Sequence, residues 1–168
     1  MKLLGGEPRP IPAYASLRSM RPAAAAAEAE ELLAVGFRAL KIKVAAGIEL
    51  ETIRAVAGDG DRPGGRVQPE LSVDEAIERL RALDGEGLQW VEEPTRGDDP
   101  AGRARIAAAV RTPIQLGESW RGVHDMDESI AAGASHHVTL DAMKIRRRDR
   151  LAARCRARRG GRPAGVEP

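Results

Sequence analysis

A parallel α/β sheet of the (β/α)8 TIM-barrel type, present only in part, is the fold class this sequence predicts. Two observations carry that expectation. Short apolar segments alternate with helical patterns at regular spacing, the signature of βαβ units, and about five to six such units can be counted. Charged residues collect where each apolar segment ends, and in such a barrel the C-terminal ends of the strands form the catalytic side.

The elements follow in order. PAYAS is a short strand. RPAAAAAEAEELLAVG opens with Pro22 and closes at Gly36; proline suits the first turn of a helix, and glycine supplies the left-handed backbone that ends one. FRALKIKV is read as a strand and ELETIRAVA as its helix. SVDEAIERLRALDGEG carries a Ser cap, helical spacing and a glycine stop. LQWVEEP is a strand halted by proline, PAGRARIAAAV a helix, PIQLGES a strand, VHDMDESIAAG a helix, and HHVTLDAMKI a strand leading out. One segment resists. A strand is due in GDGDRPGGRVQPEL, yet Pro63, Gly64, Gly65 and Pro69 argue against a central one, because proline has no N–H for the ladder and glycine no side chain to pack.

Composition sets limits. A chain of 168 residues allows one ordinary domain. The sole cysteine, Cys155, excludes a disulfide framework. No apolar run reaches spanning length and no charged-then-apolar leader opens the chain, so a cytoplasmic location without a membrane partner is expected. The net charge of +2 conceals an asymmetry. Residues 146–168 hold nine Arg against Asp149 and Glu167, about +7, which leaves about −5 for residues 1–145.

The chemistry-bearing residues sit at predicted strand ends. Lys41 and Lys43 are two apart, so a strand places both ammonium groups on one face with Leu40 and Ile42 on the other. Two desolvated cations that repel each other suit a proton-abstracting base; the same pattern also fits an edge strand with two surface lysines. Glu92 and Glu93, then Glu118, then Asp141 close three successive strands. Carboxylates converging from strand ends offer the hard oxygen ligands that Mg²⁺ takes. His124 reads as a surface or capping residue, one of His136 and His137 as a structural residue against the wall, and Trp90 and Trp120 as core or pocket wall.

Together the strings GFRALKIKV, WVEEPT, IQLGESW and LDAMKI, in this order and spacing, resemble the enolase superfamily, in particular the mandelate racemase group of its mandelate racemase/muconate lactonizing family. The resemblance runs from LLGGEPRPIPAYAS to Ile145. It implies removal of the proton α to the carboxylate of a 2-hydroxy or sugar acid, through an enediolate held on Mg²⁺, by a racemase or dehydratase. It further implies that Lys43 is the base, that Lys41 helps neutralise the substrate carboxylate, that Glu92 and Glu118 are metal ligands, and that Asp141 orients a catalytic histidine. A small-molecule carboxylate is the implied partner, and the intact parent is implied to be a homo-oligomer.

The sequence departs from the family in four places. The third ligand belongs in VDYNQ-like text where GGRVQPE stands, and the histidine belongs beyond Ile145. The capping domain before the barrel and the last two strands have no counterpart. A change of reading frame accounts for two of these departures. Residues 63–70, back-translated and shifted by one base, can read LVVEYNQ, restoring a strand with a carboxylate. Residues 146–168 can likewise read GGVTGWLRAAALAEAAGLPVSS, followed by a codon beginning CA, as histidine codons do. Residues 1–145 are therefore expected to be a partial barrel domain with 63–70 out of frame, and 146–168 an aberrant arginine-rich tail. The chain as written is expected to be inactive. The alternative is a non-catalytic protein whose arginine-rich tail contacts nucleic acid through phosphate charge.

Overall fold

The computed structural model describes residues 10–45, 47–57, 65–67, 71–141 and 143–145. Eleven elements alternate along them: β1 (Ala15–Ser16), α1 (Pro22–Val35), β2 (Leu40–Val44), α2 (Glu49–Ala57), β3 (Gly65–Val67), α3 (Val73–Leu83), β4 (Val91–Glu92), α4 (Pro100–Ala109), β5 (Ile114–Leu116), α5 (Val123–Ala131) and β6 (His137–Val138). The six strands form one sheet in sequence order, and every neighbouring pair is parallel. Parallel neighbours cannot be joined by a tight turn, so each connection carries a helix.

Local chemistry sets the helix ends. Pro22 starts α1, and Gly36 ends it in left-handed backbone at φ 111°. The Gly36 N–H donates to the Leu33 carbonyl and the Phe37 N–H to Leu32, which satisfies carbonyls the helix would otherwise leave open. In α3 the Ser72 hydroxyl accepts from the Glu75 N–H while the Glu75 carboxylate accepts from the Ser72 N–H, a reciprocal capping box. Asp99 caps α4 by accepting from the Gly102 N–H at 2.8 Å.

Strand alternation then divides the sheet. Leu40, Ile42 and Val44 of β2, Val91 of β4, and Ile114 and Leu116 of β5 are buried in one core with Ile53 and Val56 of α2, Leu80 of α3 and Ile106 of α4. Each such side chain contributes about 1.5–3 kcal/mol on burial. The intervening residues face the other way and carry the polar chemistry.

Residues 65–67 correct one expectation. They form a central strand, paired with β2 on one side and β4 on the other. The described strand, residues 65–67, falls within the five residues between Pro63 and Pro69, and both prolines lie outside the described residues. β2 is likewise internal, which removes the edge-strand reading of Lys41 and Lys43. The arginine-rich tail, 146–168, falls outside the described residues. Among the described residues no helix is long and apolar enough to cross a membrane.

Candidate functional site

Register aligns the polar residues. Across β2 to β6 the Cα partners run Lys43, Arg66, Glu92, Gln115 and His137. Lys41 lies one pleat earlier on the same face as Lys43. Its amine forms an ion pair with the Glu92 carboxylate; the side chains are 12% and 1% exposed. Glu92 Oε2, though buried, takes part in no regular hydrogen bond, so its charge is answered by the Lys41 cation alone in that contact. A buried carboxylate oxygen answered only by one lysine is a hard donor of the kind Mg²⁺ takes, once the lysine yields it. Lys43 is exposed on this face.

Glu93, the adjacent carboxylate, goes elsewhere. It is 3% exposed and adopts φ 48°, left-handed backbone unusual for a residue with a side chain. Its carboxylate ion-pairs with Arg103 of α4, which is itself 1% exposed. Glu93 Oε1 accepts from the Gly117 N–H at 3.0 Å and the Ser119 N–H at 3.2 Å, and Oε2 accepts from the Ser119 hydroxyl at 2.9 Å. Burial pushes the Arg103 guanidinium down from its ordinary value, and Glu93, Asp98 and Asp99 pull it back up. Glu93 thus does not converge with Glu92: it lies just past β4 in left-handed backbone, which turns its carboxylate to Arg103, Gly117 and Ser119.

Glu118 and Asp141 lie past the strands rather than in them. Glu118 follows Gly117, whose φ of 134° turns the chain out of β5. A Cβ at Gly117 would stand 2.2 Å from the Thr139 carbonyl oxygen, so only glycine fits against β6 there. Glu118 is half-buried, and its backbone carbonyl accepts from the Lys144 amine at 2.8 Å. Asp141 caps the turn after β6, accepting from the Met143 N–H at 2.8 Å and lying 3.7 Å from the Lys144 amine. Lys144 therefore ties the β5 and β6 ends together. Sequence reading passed it over, although its place three residues after Asp141 was a signal.

The structure therefore brings Lys41 and Glu92 into contact, puts Lys43 on their face, and links Glu118 to Asp141 through Lys144. Among the described residues no group of three His, Cys, Asp or Glu is placed to hold a metal ion. The expected third-ligand segment, 63–70, lies outside them except for the 65–67 backbone. Trp120 is buried, with its indole N–H donating to Ser129 at 3.0 Å, while Trp90 is half-buried against Tyr14, ring centroids 5.7 Å apart. His124 is exposed beside Glu128, and His136 Nδ1 accepts from the Ile114 N–H at 3.0 Å, a wall contact. An open groove of about 780 Å³ lined by Pro12, Ala13, Phe37 and Gln89 lies at the N-terminal ends of the strands, away from these carboxylates.

A family model described as Enolase C-terminal domain-like matches residues 24–159. The 3,6-anhydro-alpha-L-galactonate cycloisomerase of Streptomyces coelicolor is 33% identical over 141 residues, 79% of this chain and 39% of that protein. The L-Ala-D/L-Glu epimerase of Bacillus subtilis is 31% identical over 151 residues, 85% of this chain and 41% of that protein. A solved Bradyrhizobium enolase complexed with magnesium and mandelic acid superposes with a TM-score of 0.81 at 31% identity, covering 96% of this chain and 47% of that one. The chain spans about a third of the length of the curated relatives it matches.

Proposed function

The chain belongs to the enolase superfamily, in its mandelate racemase/muconate lactonizing family, and on that premise we propose that its sheet is six strands of a (β/α)8 barrel carrying part of a site for proton abstraction next to a carboxylate. The relatives are isomerases and dehydratases: a cycloisomerase, an epimerase and an L-talarate/galactarate dehydratase among them. The family's solved structures include several with bound magnesium.

The observation that carries the reading is the Lys41–Glu92 ion pair. β3 lies between β2 and β4, and neighbouring strands stand about 4.8 Å apart. Side chains on a flat sheet at twice that spacing would point in parallel. Contact across an intervening strand is expected when the sheet curls toward this face, as a barrel wall does.

In this reading Glu92 and Glu118 hold Mg²⁺, whose charge would offset the negative charge that builds on the substrate's carboxylate. Lys43, exposed on the concave face, takes the α-proton of a 2-hydroxy or sugar acid. Lys41, already neutralised by Glu92, is placed to share its charge with an arriving carboxylate. Asp141 would be left to orient a histidine that this chain does not supply beyond it, since its three histidines, His124, His136 and His137, all precede Asp141. Position 66 is the register partner of Glu92 and is arginine, a residue that offers a metal no ligand, so we expect no useful turnover from the chain as written.

Metal binding tests the proposal. Mn²⁺, used as a spin-active substitute for Mg²⁺, is titrated into the full chain and into Glu92→Gln and Glu118→Gln. Each substitution should weaken binding by at least about tenfold. Equal affinity in all three chains would refute the site.

A further inference from the structure

We propose that Glu93 is a positioning residue, which fixes the backbone on both sides of Glu118 and thereby sets the cation affinity of the strand-end carboxylates. The proposal rests on the assignment of Glu118 as a metal ligand made above.

The geometry places Glu118 between anchors. Glu93 Oε1 accepts the N–H groups of Gly117 and Ser119, the residues on either side of Glu118. Two backbone N–H groups two residues apart that close on one anion make a concave cradle, and the carboxylate holds that cradle in shape. The Ser119 hydroxyl adds bonds to both Glu93 oxygens. From the other side, the Lys144 amine holds the Glu118 carbonyl at 2.8 Å. Glu118 is thus tethered by its backbone before, at and after its own residue.

The far end of Glu93 is equally constrained. Arg103 ion-pairs with it, donates to the Ser119 hydroxyl at 3.0 Å, and is buried with two guanidinium nitrogens lacking hydrogen bonds. Such a cation has no water to fall back on, so it holds its carboxylate firmly. Gly97 completes the enclosure: a Cβ there would come within 3.2 Å of the Ser119 hydroxyl oxygen. Left-handed backbone at Glu93 is costly for a residue with a side chain, and the structure tolerates it where both carboxylate oxygens are so fully used. The adjacent glutamates therefore divide the work. Glu92 faces the cation, and Glu93 turns away to hold the next carboxylate in place.

Glu93→Gln tests this, because its amide must turn its NH2 group either toward Arg103 or toward the two backbone N–H groups. Two measurements on the full chain are needed: amide hydrogen exchange across residues 115–121 and Mn²⁺ affinity, at a temperature where thermal unfolding shows the variant folded. We expect exchange at 117–119 to rise, and Mn²⁺ binding to weaken, each by about tenfold. Unchanged exchange overturns the proposal. Faster exchange with unchanged Mn²⁺ affinity also overturns it, since Glu93 would then support the fold alone.

Glu118→Gln, with Glu93 intact, separates the two assignments. If that variant binds Mn²⁺ as tightly as the unaltered chain, or the unaltered chain binds none, the metal assignment itself falls. If Glu118→Gln weakens binding and Glu93→Gln does not, only the positioning role falls. Should Glu93→Gln fail to fold, Ser119→Ala removes the hydroxyl link without stranding a charge. It is expected to shift both readouts in the same direction by about threefold, and no shift in either overturns the proposal.

Discussion

Gly117→Ala isolates the contact that turns the chain from β5 toward Glu118. At φ 134° an alanine would carry backbone strain of about 1–3 kcal/mol. Its Cβ would also lie 2.2 Å from the Thr139 carbonyl oxygen and 2.9 Å from the Thr139 carbonyl carbon. Those are backbone atoms, so no side-chain rotation relieves the overlap, and forcing an extra methyl into such a space costs about 1–3 kcal/mol. Moving Thr139 away would lengthen the 2.9 Å bond from its N–H to the Leu116 carbonyl, at about 0.5–1.5 kcal/mol. Altogether the loss should be about 3–7 kcal/mol, against a whole-domain stability of about 5–15 kcal/mol. Gly85→Ala is the control: its φ of 144° brings the strain, and nothing lies within 4 Å of its Cβ position. Urea unfolding, with a slope of about 1–3 kcal/mol per molar, should show the Gly117→Ala midpoint lower than that of Gly85→Ala by about 1 M. If the two variants unfold together, the close approach of the β5 turn to β6 is refuted.

Three further outcomes are expected. Lys41→Met leaves the Glu92 carboxylate buried without its cation, which should cost about 3–5 kcal/mol and lower the thermal midpoint by about 6–20 °C; adding Glu92→Gln should recover most of the loss, and no recovery would show that the pair is not coupled. Burial of Asp84 works against its charge but is outweighed by hydrogen bonds from the Arg111 N–H and from the Thr112 hydroxyl and N–H, leaving its carboxyl below the ordinary 3.8. Its folded value is depressed, so its contribution is present above pH 3.8 and is lost as pH falls below that toward the folded value; Asp84→Asn should therefore destabilise at pH 7 and converge with the unaltered chain in acid, and a constant difference at all pH values would refute this. Arg66→Glu should tighten Mn²⁺ binding by about tenfold or more, and an unchanged titration would remove position 66 from the site.

Helices were legible because their ends are local chemistry. Pro22 and Gly36 bracket α1, and Ser72 with Glu75 starts α3, with no information needed from the rest of the chain. Strand lengths were not. LQWVEEP yields a two-residue strand, Val91–Glu92, and HHVTLDAMKI yields His137–Val138, because an apolar run records burial and buried loop residues look the same. The shared face of the two lysines was legible from strand alternation, and Glu92 and Glu93 only as a pair of carboxylates at a strand end. The roles of Glu93 and Arg103 were not. Arg103 is 1% exposed while Arg105, two residues on in the same helix, has a side chain 64% exposed; nothing local distinguishes them, and only the carboxylate delivered by β4 makes one of them buried.

Position 66 is where the sequence and the structure bear on one another most directly. Composition argued against a strand at GGRVQPE, yet residues 65–67 pair in register with both neighbours. Helices α2 and α3 flank this segment, so two crossovers leave one gap between β2 and β4, and backbone from the segment fills it. A parallel ladder asks only for N–H and C=O groups, which Gly65, Arg66 and Val67 supply as well as any residues. Chemistry asks for more. In the row of register partners Lys43, 66, Glu92 the first two residue types are basic, and the Glu92 carboxylate pairs with Lys41. The frame-shifted reading puts glutamate at 66, which would reverse that balance and set two carboxylates side by side at adjacent strand ends. The ladder accepts either residue at 66, whereas a carboxylate there would favour a bound cation and an arginine would oppose one, which is the difference the Arg66→Glu titration reads.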